Sequence, residues 1–217
     1  MEKMRAVLFD FDGVIVDSTP IHLAGWANAF EAMFQAPLDP TTLLSLVGRS
    51  TAAIGTILAE KSGYPAARGD LIKRKSRYVF DHLETIPLIT GARDFVHALA
   101  KRGVPHGVVS NAPRDFIAAT LERHELRMPF YLGLEDCQRP KPDAEPYMKG
   151  ALRMGFKFHE HKSIYVFEDS THGIEAAVAA HMTPIGICSQ HPSEPLERAG
   201  ATRCFADLLP ASSLLNS

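Results

Sequence analysis

Two aspartates, Asp10 and Asp12, end an apolar run near the start of the chain, in the stretch AVLFDFDGVIVDS. Ala6–Phe11 has strand length, and Asp12-Gly13 is a dipeptide that commonly turns a chain back on itself. Val14, Ile15 and Val16 then read as the returning strand of a hairpin. Turn chemistry accounts for Asp12 but not for Asp10, which stands where a strand residue should be apolar or paired. An unpartnered buried carboxylate is costly, so Asp10 calls for a partner such as a metal ion. Polar residues follow other short apolar runs in the same way: Ser110 and Asn111 after HGVV, Lys141 within CQRPKP, and Glu168 and Asp169 at the end of SIYVFED. A carboxylate is ionised at neutral pH without help, and it can attack an electrophile or hold a hard cation.

The elements that must position these residues alternate. Beyond Pro87, Thr90-Gly91 begins a helix closed by Gly103, and HGVVS (106–110) is a strand. Pro113 starts another helix, PFYLG (129–133) is a weaker strand, and a helix follows from about Ala144 to Met154, closed by Gly155. SIYVFE (163–168) is a strand, 174–181 a helix and TPIGIC (183–188) a strand. This alternation predicts an α/β fold, a Rossmann-like parallel sheet with helices on both faces. Between the first strand and Pro87 lies a tract that reads as helices alone. Pro20 suits a first helical position, and Leu23, Trp26, Phe30 and Phe34 recur at helical spacing. Asp39-Pro40 opens a second helix that should stop at Gly48, Ser50 or Thr51 caps a third ending near Gly63, and Asp70 caps a fourth. The simplest organisation is a catalytic core of residues 1–16 and 87–217 with an inserted α-helical cap at 17–86. Ligands of open α/β sheets bind outside the carboxyl ends of the strands. The acids, Ser110, Asn111 and Lys141 all belong at that edge.

The rest of the composition narrows the partners. The chain has 217 residues, 46% hydrophobic and 22% charged, enough for a sizeable core. A formal charge of −2 gives no electrostatic reason to expect nucleic acid or an anionic membrane surface. No apolar stretch has bilayer length, and MEKMRAVLFD lacks the apolar segment of a signal peptide. Cys137, Cys188 and Cys204 show no metal-ligand spacing and read as free thiols of a reducing compartment, which predicts a cytoplasmic protein.

In order and type, these motifs resemble those of the haloacid dehalogenase-like hydrolases, mostly phosphatases, and within them the β-phosphoglucomutase-like and sugar-phosphatase-like branch. DFDGVIVDS is nearly a complete first motif, and FEDSTHGIEAA (167–177) carries the fourth: an acidic pair, a Ser and a Gly-Ile-x-Ala-Ala helix opening. Ser110-Asn111 and Lys141 stand at the second and third. Alone, the first of these would read as a helix N-cap and the second as a solvated surface lysine; only the set reverses that. The resemblance implies Asp10 as nucleophile and Asp12 as the acid that protonates the leaving oxygen and then takes a proton from water. It implies Mg²⁺ held by Asp10, Asp12 (through its carbonyl), Glu168 and Asp169. Ser110, the Asn111 backbone and Lys141 would bind the phosphoryl oxygens. The implied partner is a small phosphate ester.

Asp12 speaks against carbon–halogen and phosphonate cleavage, whose family enzymes lack an Asp there. Hydrolase and mutase are separated in the helical tract. His22 matches a histidine of β-phosphoglucomutase and equally reads as a first-turn helix residue. The mutase's two loop cations are replaced by Val47 and Thr51 around Gly48. Arg49, Ser50 and Arg114 are the candidate substrate contacts, although each arginine on its own reads first as a solvated surface charge. The expected activity is therefore Mg²⁺-dependent hydrolysis of a small, sugar-like phosphate monoester, with a hexose-phosphate mutase and a non-catalytic phosphosugar-binding protein as the alternatives. In the third motif, Ala144 and Glu145 replace the usual Pro and Asp, which predicts an altered helix start with Lys141 in place.

Overall fold

The computed structural model describes residues 2–46 and 50–216. Six strands form one all-parallel sheet: β1 (Ala6–Phe9), β2 (His106–Val109), β3 (Tyr131–Leu132), β4 (Ile164–Glu168), β5 (Thr183–Ile187) and β6 (Arg203–Phe205). Their order across the sheet is β3-β2-β1-β4-β5-β6. The chain winds outward from β1 in one direction and, from β4, in the other, so the order reverses between these two central strands. That reversal opens a crevice at their carboxyl ends, the place where such sheets hold ligands. The register pairs Phe9 with Phe167, which sets Asp10 beside the end of β4; the Asp10 amide donates to the Phe167 carbonyl at 2.9 Å.

The chain divides into two compact units, Met1–Asp17 with Pro87–Ser217, and Ser18–Ile86. The first holds the sheet and the helices α5 (Ala92–Lys101), α6 (Arg114–Arg123), α7 (Glu145–Arg153), α8 (Thr171–Ala179), α9 (Ser193–Ala199) and α10 (Leu208–Ala211). β1 and β4 are buried along their whole length, as expected of strands covered on both faces. On one face Leu8 and Val166 pack with Tyr147 and Ala151 of α7 and Ala176 and Ala177 of α8. On the other, the rings of Phe9 and Phe167 meet Phe95 of α5 at 5.8 and 5.2 Å. The second unit is helical: α1 (Thr19–Phe34), α2 (Pro40–Leu44), α3 (Thr51–Lys61) and α4 (Arg68–Asp81). Its core gathers Trp26, Phe30, Leu43, Leu58 and Leu71. Among the described residues no helix is long and apolar enough to cross a membrane.

Several expected boundaries move. Val14–Val16 form no returning strand. The amides of Ile15 and Val16 both donate to the Phe11 carbonyl, at 2.9 and 3.1 Å, so the segment closes on itself as a buried turn. Asp70 lies in the first turn of α4 instead of capping it, because the helix runs on directly from a 3₁₀ turn at Pro65–Ala67. α8 begins at Thr171, not Ile174: the Ser170 hydroxyl accepts the Gly173 amide at 3.0 Å and starts the helix earlier. α2 ends at Leu44, and Gly48 lies outside the described residues. β6, α9 and α10 have no counterpart in the sequence reading; their short apolar segments give too little periodicity to recognise.

Candidate active site

Three buried carboxylates and one buried lysine meet at the crevice between β1 and β4. Asp10 follows β1, Glu168 ends β4, and Asp169 comes next. Each of the three offers an oxygen within 4.8 Å of the others. Lys141 comes from the loop before α7, and its Nζ donates to Asp10 Oδ1 at 2.6 Å, Glu168 Oε1 at 2.6 Å and the Val109 carbonyl at 2.7 Å. All three ammonium hydrogens are thereby used.

This cluster is unbalanced in charge, and the carboxyl groups respond. Burial, partly offset by Lys141 and reinforced by Glu168 and Asp12, raises the Asp10 pKa to about 7. Burial and the neighbouring Asp10, Glu168 and Asp12 push Asp169 well above the usual carboxylate range. Burial disfavours the Lys141 ammonium, but Asp10 and Glu168 outweigh it and hold its pKa above the ordinary value. An all-oxygen donor set with excess negative charge fits a hard divalent cation such as Mg²⁺.

The sequence-predicted residues divide by what the structure does with them. Asn111 brackets Lys141: its Oδ1 accepts the Lys141 amide at 3.1 Å, and its Nδ2 donates to the Lys141 carbonyl at 3.3 Å. Ser110 is buried at the end of β2, and its Oγ accepts the Ala112 amide at 3.1 Å. Asp12 sits on the turn after β1, half-buried, where its charge acts on both Asp10 and Asp169. Arg114 ion-pairs with Asp136 at 2.8 Å, and its guanidinium lies over the Tyr131 ring. In the helical unit, His22 lies in the first turn of α1, its amide donating to the Ser18 carbonyl at 3.0 Å. Ser50 caps α3 by accepting the Ala53 amide at 3.2 Å. Gly48 and Arg49 fall outside the described residues.

Tyr147, which the sequence did not single out, joins Ser170, Gly173 and Glu145 of the third and fourth motifs in holding this arrangement. The Tyr147 hydroxyl donates to Glu168 Oε1, and the Ser170 hydroxyl to Glu168 Oε2. A Cβ on Gly173 would lie 1.8 Å from the Glu168 carboxyl carbon, so only glycine lets α8 approach this closely. Glu145 accepts the amides of Gln138 and Arg139 at 2.9 and 3.1 Å and pairs with Lys149 at 2.7 Å. It ties the Lys141 loop to α7, whose first residue it is.

Residues 7–187 match the family described as haloacid dehalogenase-like hydrolase. The chain belongs to that family. A validoxylamine A 7'-phosphate phosphatase from Streptomyces hygroscopicus subsp. limoneus is 28% identical over 200 residues, covering 90% of this chain and 91% of the relative. A phosphoglycolate phosphatase from Escherichia coli O157:H7 is 27% identical over 243 residues, covering 100% of this chain and 95% of the relative. Among solved structures, a HAD family hydrolase from Deinococcus radiodurans R1 with bound phosphate and sodium superposes with a TM-score of 0.75. It is 26% identical and covers 99% of this chain and 98% of that one. The six-stranded parallel sheet is thus that of a haloacid dehalogenase-like hydrolase.

Proposed function

We propose that the chain is a Mg²⁺-dependent phosphomonoesterase acting on a small, sugar-like phosphate through an aspartyl-phosphate on Asp10. The observation that carries this reading is the grip of Lys141 on Asp10 Oδ1 at 2.6 Å. That contact fixes one carboxylate oxygen and leaves the second to attack phosphorus. The P–O bond to the substrate breaks as the Asp10–phosphorus bond forms, and Asp12 gives its proton to the leaving oxygen. Asp12 then takes a proton from the water that splits the acyl-phosphate, which releases inorganic phosphate and restores Asp10. Ser110, the Asn111 backbone and Lys141 hold the charge of the transferring group. Asp10, Asp12 (through its carbonyl), Glu168 and Asp169 would hold Mg²⁺, which when bound offsets the repulsion between a carboxylate nucleophile and an anionic ester. The helical unit is read as the cap, with His22, Gly48, Arg49 and Ser50 as its substrate contacts and Arg114 as one from the core. The relatives named as phosphatases, together with Val47 and Thr51 in place of the mutase cations, support hydrolysis over isomerisation.

A phosphate-release screen over sugar phosphates, phosphoglycolate and nucleotides, with and without Mg²⁺, tests the reading. Mg²⁺-dependent release that disappears in Asp10→Asn is expected. Full activity in that variant would remove the nucleophile assignment. Isomerisation of a hexose phosphate stimulated by a bisphosphate, without free phosphate, would point to a mutase, and silence on every substrate to a binding protein.

A further inference from the structure

β5 ends at Ile187, and the turn that follows brings Ser189 to the Asp12–Gly13 turn at the opposite end of the chain. The Ser189 hydroxyl donates to the Gly13 carbonyl at 2.6 Å. The turn's own bonds leave that carbonyl aside. Gly13 N donates to the Val16 carbonyl at 2.7 Å, and the amides of Ile15 and Val16 go to Phe11. Gly13 has φ +76, a conformation glycine adopts at little cost because it carries no Cβ. Space around it is tight on two sides. A Cβ there would stand 2.0 Å from Asp169 Oδ2 and 3.0 Å from Ser189 Oγ. Gly13 therefore lies close against a carboxylate of the buried cluster, and its carbonyl, one residue beyond Asp12, is held by the Ser189 hydroxyl.

We propose that Ser189 is a positioning residue for Asp12. Its hydrogen bond to Gly13 fixes the turn so that the Asp12 carboxyl meets the leaving-group oxygen; no proton passes through Ser189 itself. The proposal rests on the reading of Asp12 as the proton donor, and it predicts where the defect falls. In kcat/KM, which reports the first phosphoryl transfer, a misplaced acid hurts substrates whose leaving group needs a proton. A leaving group that departs as a stable anion is spared.

The test compares glycerol 2-phosphate with p-nitrophenyl phosphate in the Mg²⁺-supplied enzyme. Ser189→Ala is expected to lower kcat/KM for the alkyl ester about tenfold, and for the aryl ester by less than about twofold. Ser189→Thr, which keeps the hydroxyl, is expected to restore the alkyl activity, and the urea midpoints of both variants confirm that they are folded. Equal losses on the two esters, or no loss on either, would overturn the proposal. Asp12→Asn is measured in parallel. If it shows the alkyl-selective loss and Ser189→Ala does not, the Ser189 proposal alone fails. If Asp12→Asn shows no selectivity, the proton-donor reading fails and the proposal falls with it.

Discussion

The Tyr147 hydroxyl donates to Oε1 of Glu168 at 2.6 Å, and both side chains are closed off from solvent. Lys141 donates to the same oxygen and lies 4.6 Å from the centre of the Tyr147 ring. Tyr147→Phe keeps the ring and its contact with the ammonium and removes only the donor. A hydrogen bond to a charged acceptor contributes roughly 1.5–3 kcal/mol. Because Lys141 still satisfies Oε1, the expected loss in urea unfolding is near the lower end of that range, with kcat reduced a few-fold. An unchanged midpoint would show that the hydroxyl contributes nothing to holding Glu168.

Gly173 gives a sharper test of the same carboxylate. Its φ lies outside the left-handed region, so alanine brings no backbone strain and only the steric conflict with Glu168 remains. With a Cβ 1.8 Å from its carboxyl carbon, Glu168 must leave the place where Lys141, Tyr147 and Ser170 bond it. Gly173→Ala is expected to cost roughly 1–3 kcal/mol of stability, the usual penalty for overpacking. Phosphate release should fall by about a hundredfold, the scale expected when a positioning group moves by an ångström. Retained activity in a folded variant would show that Glu168 can move without consequence.

The acids were legible because they break a local rule, whereas Ser110, Asn111 and Lys141 were legible only through the order of the motifs. Asp10 is an acid at the end of an apolar strand, and Glu168-Asp169 repeats the violation at the end of β4. Those violations, together with the motif order, pointed to the strand ends where the structure gathers Asp10, Lys141, Glu168 and Asp169. Tyr147, Gly173 and Ser189 break no rule. A tyrosine on a helix, a glycine in a helix's first turn and a serine after a strand are each ordinary locally, and only the tertiary approach of α7, α8 and the β5 turn gives them work. Asn111 shows the same limit in another way. Its side chain was legible as polar at a strand end, but its pairing with both backbone groups of Lys141 depends on a loop that lies 30 residues away.

The acidic cluster sets the pH dependence of the metal-free protein. A carboxyl whose pKa is raised by folding binds more protons in the folded state than in the unfolded one. Its contribution to stability is complete below the unfolded value and is lost as pH rises through the folded value. For Asp10 that window runs from 3.8 to about 7, with Asp169 acting in the same direction. Metal-free protein should therefore lose stability across this range, and Asp10→Asn should flatten the loss and raise the thermal midpoint at pH 8. Mg²⁺, binding only the folded state, should raise the midpoint of the native sequence with increasing concentration. Asp169→Asn should weaken that rise. A thermal shift that ignores Mg²⁺, or that survives in Asp169→Asn unchanged, would remove the cluster as the metal site.

His106 pulls in the opposite direction. It opens β2, is buried, and its Nδ1 lies 2.8 Å from the Val104 carbonyl. Nε2 is buried with no hydrogen-bond partner among the described residues. Burial lowers its pKa below 6.5, with the Val104 contact opposing. The unfolded chain therefore takes up the proton first as pH falls, and stability is lost from about pH 6.5 downward until the folded histidine also protonates. His106→Asn keeps an amide donor within reach of Val104 and removes the titration. The stability difference between native protein and variant, from urea unfolding, should be constant above pH 7 and should move in favour of the variant on going from pH 6.5 to pH 5. Because the acid cluster gains stability over that same interval, the native protein's own pH profile mixes two opposing effects, and only the difference against His106→Asn isolates the histidine. Parallel profiles would mean that His106 takes its proton equally well in both states, and that its burial imposes no cost.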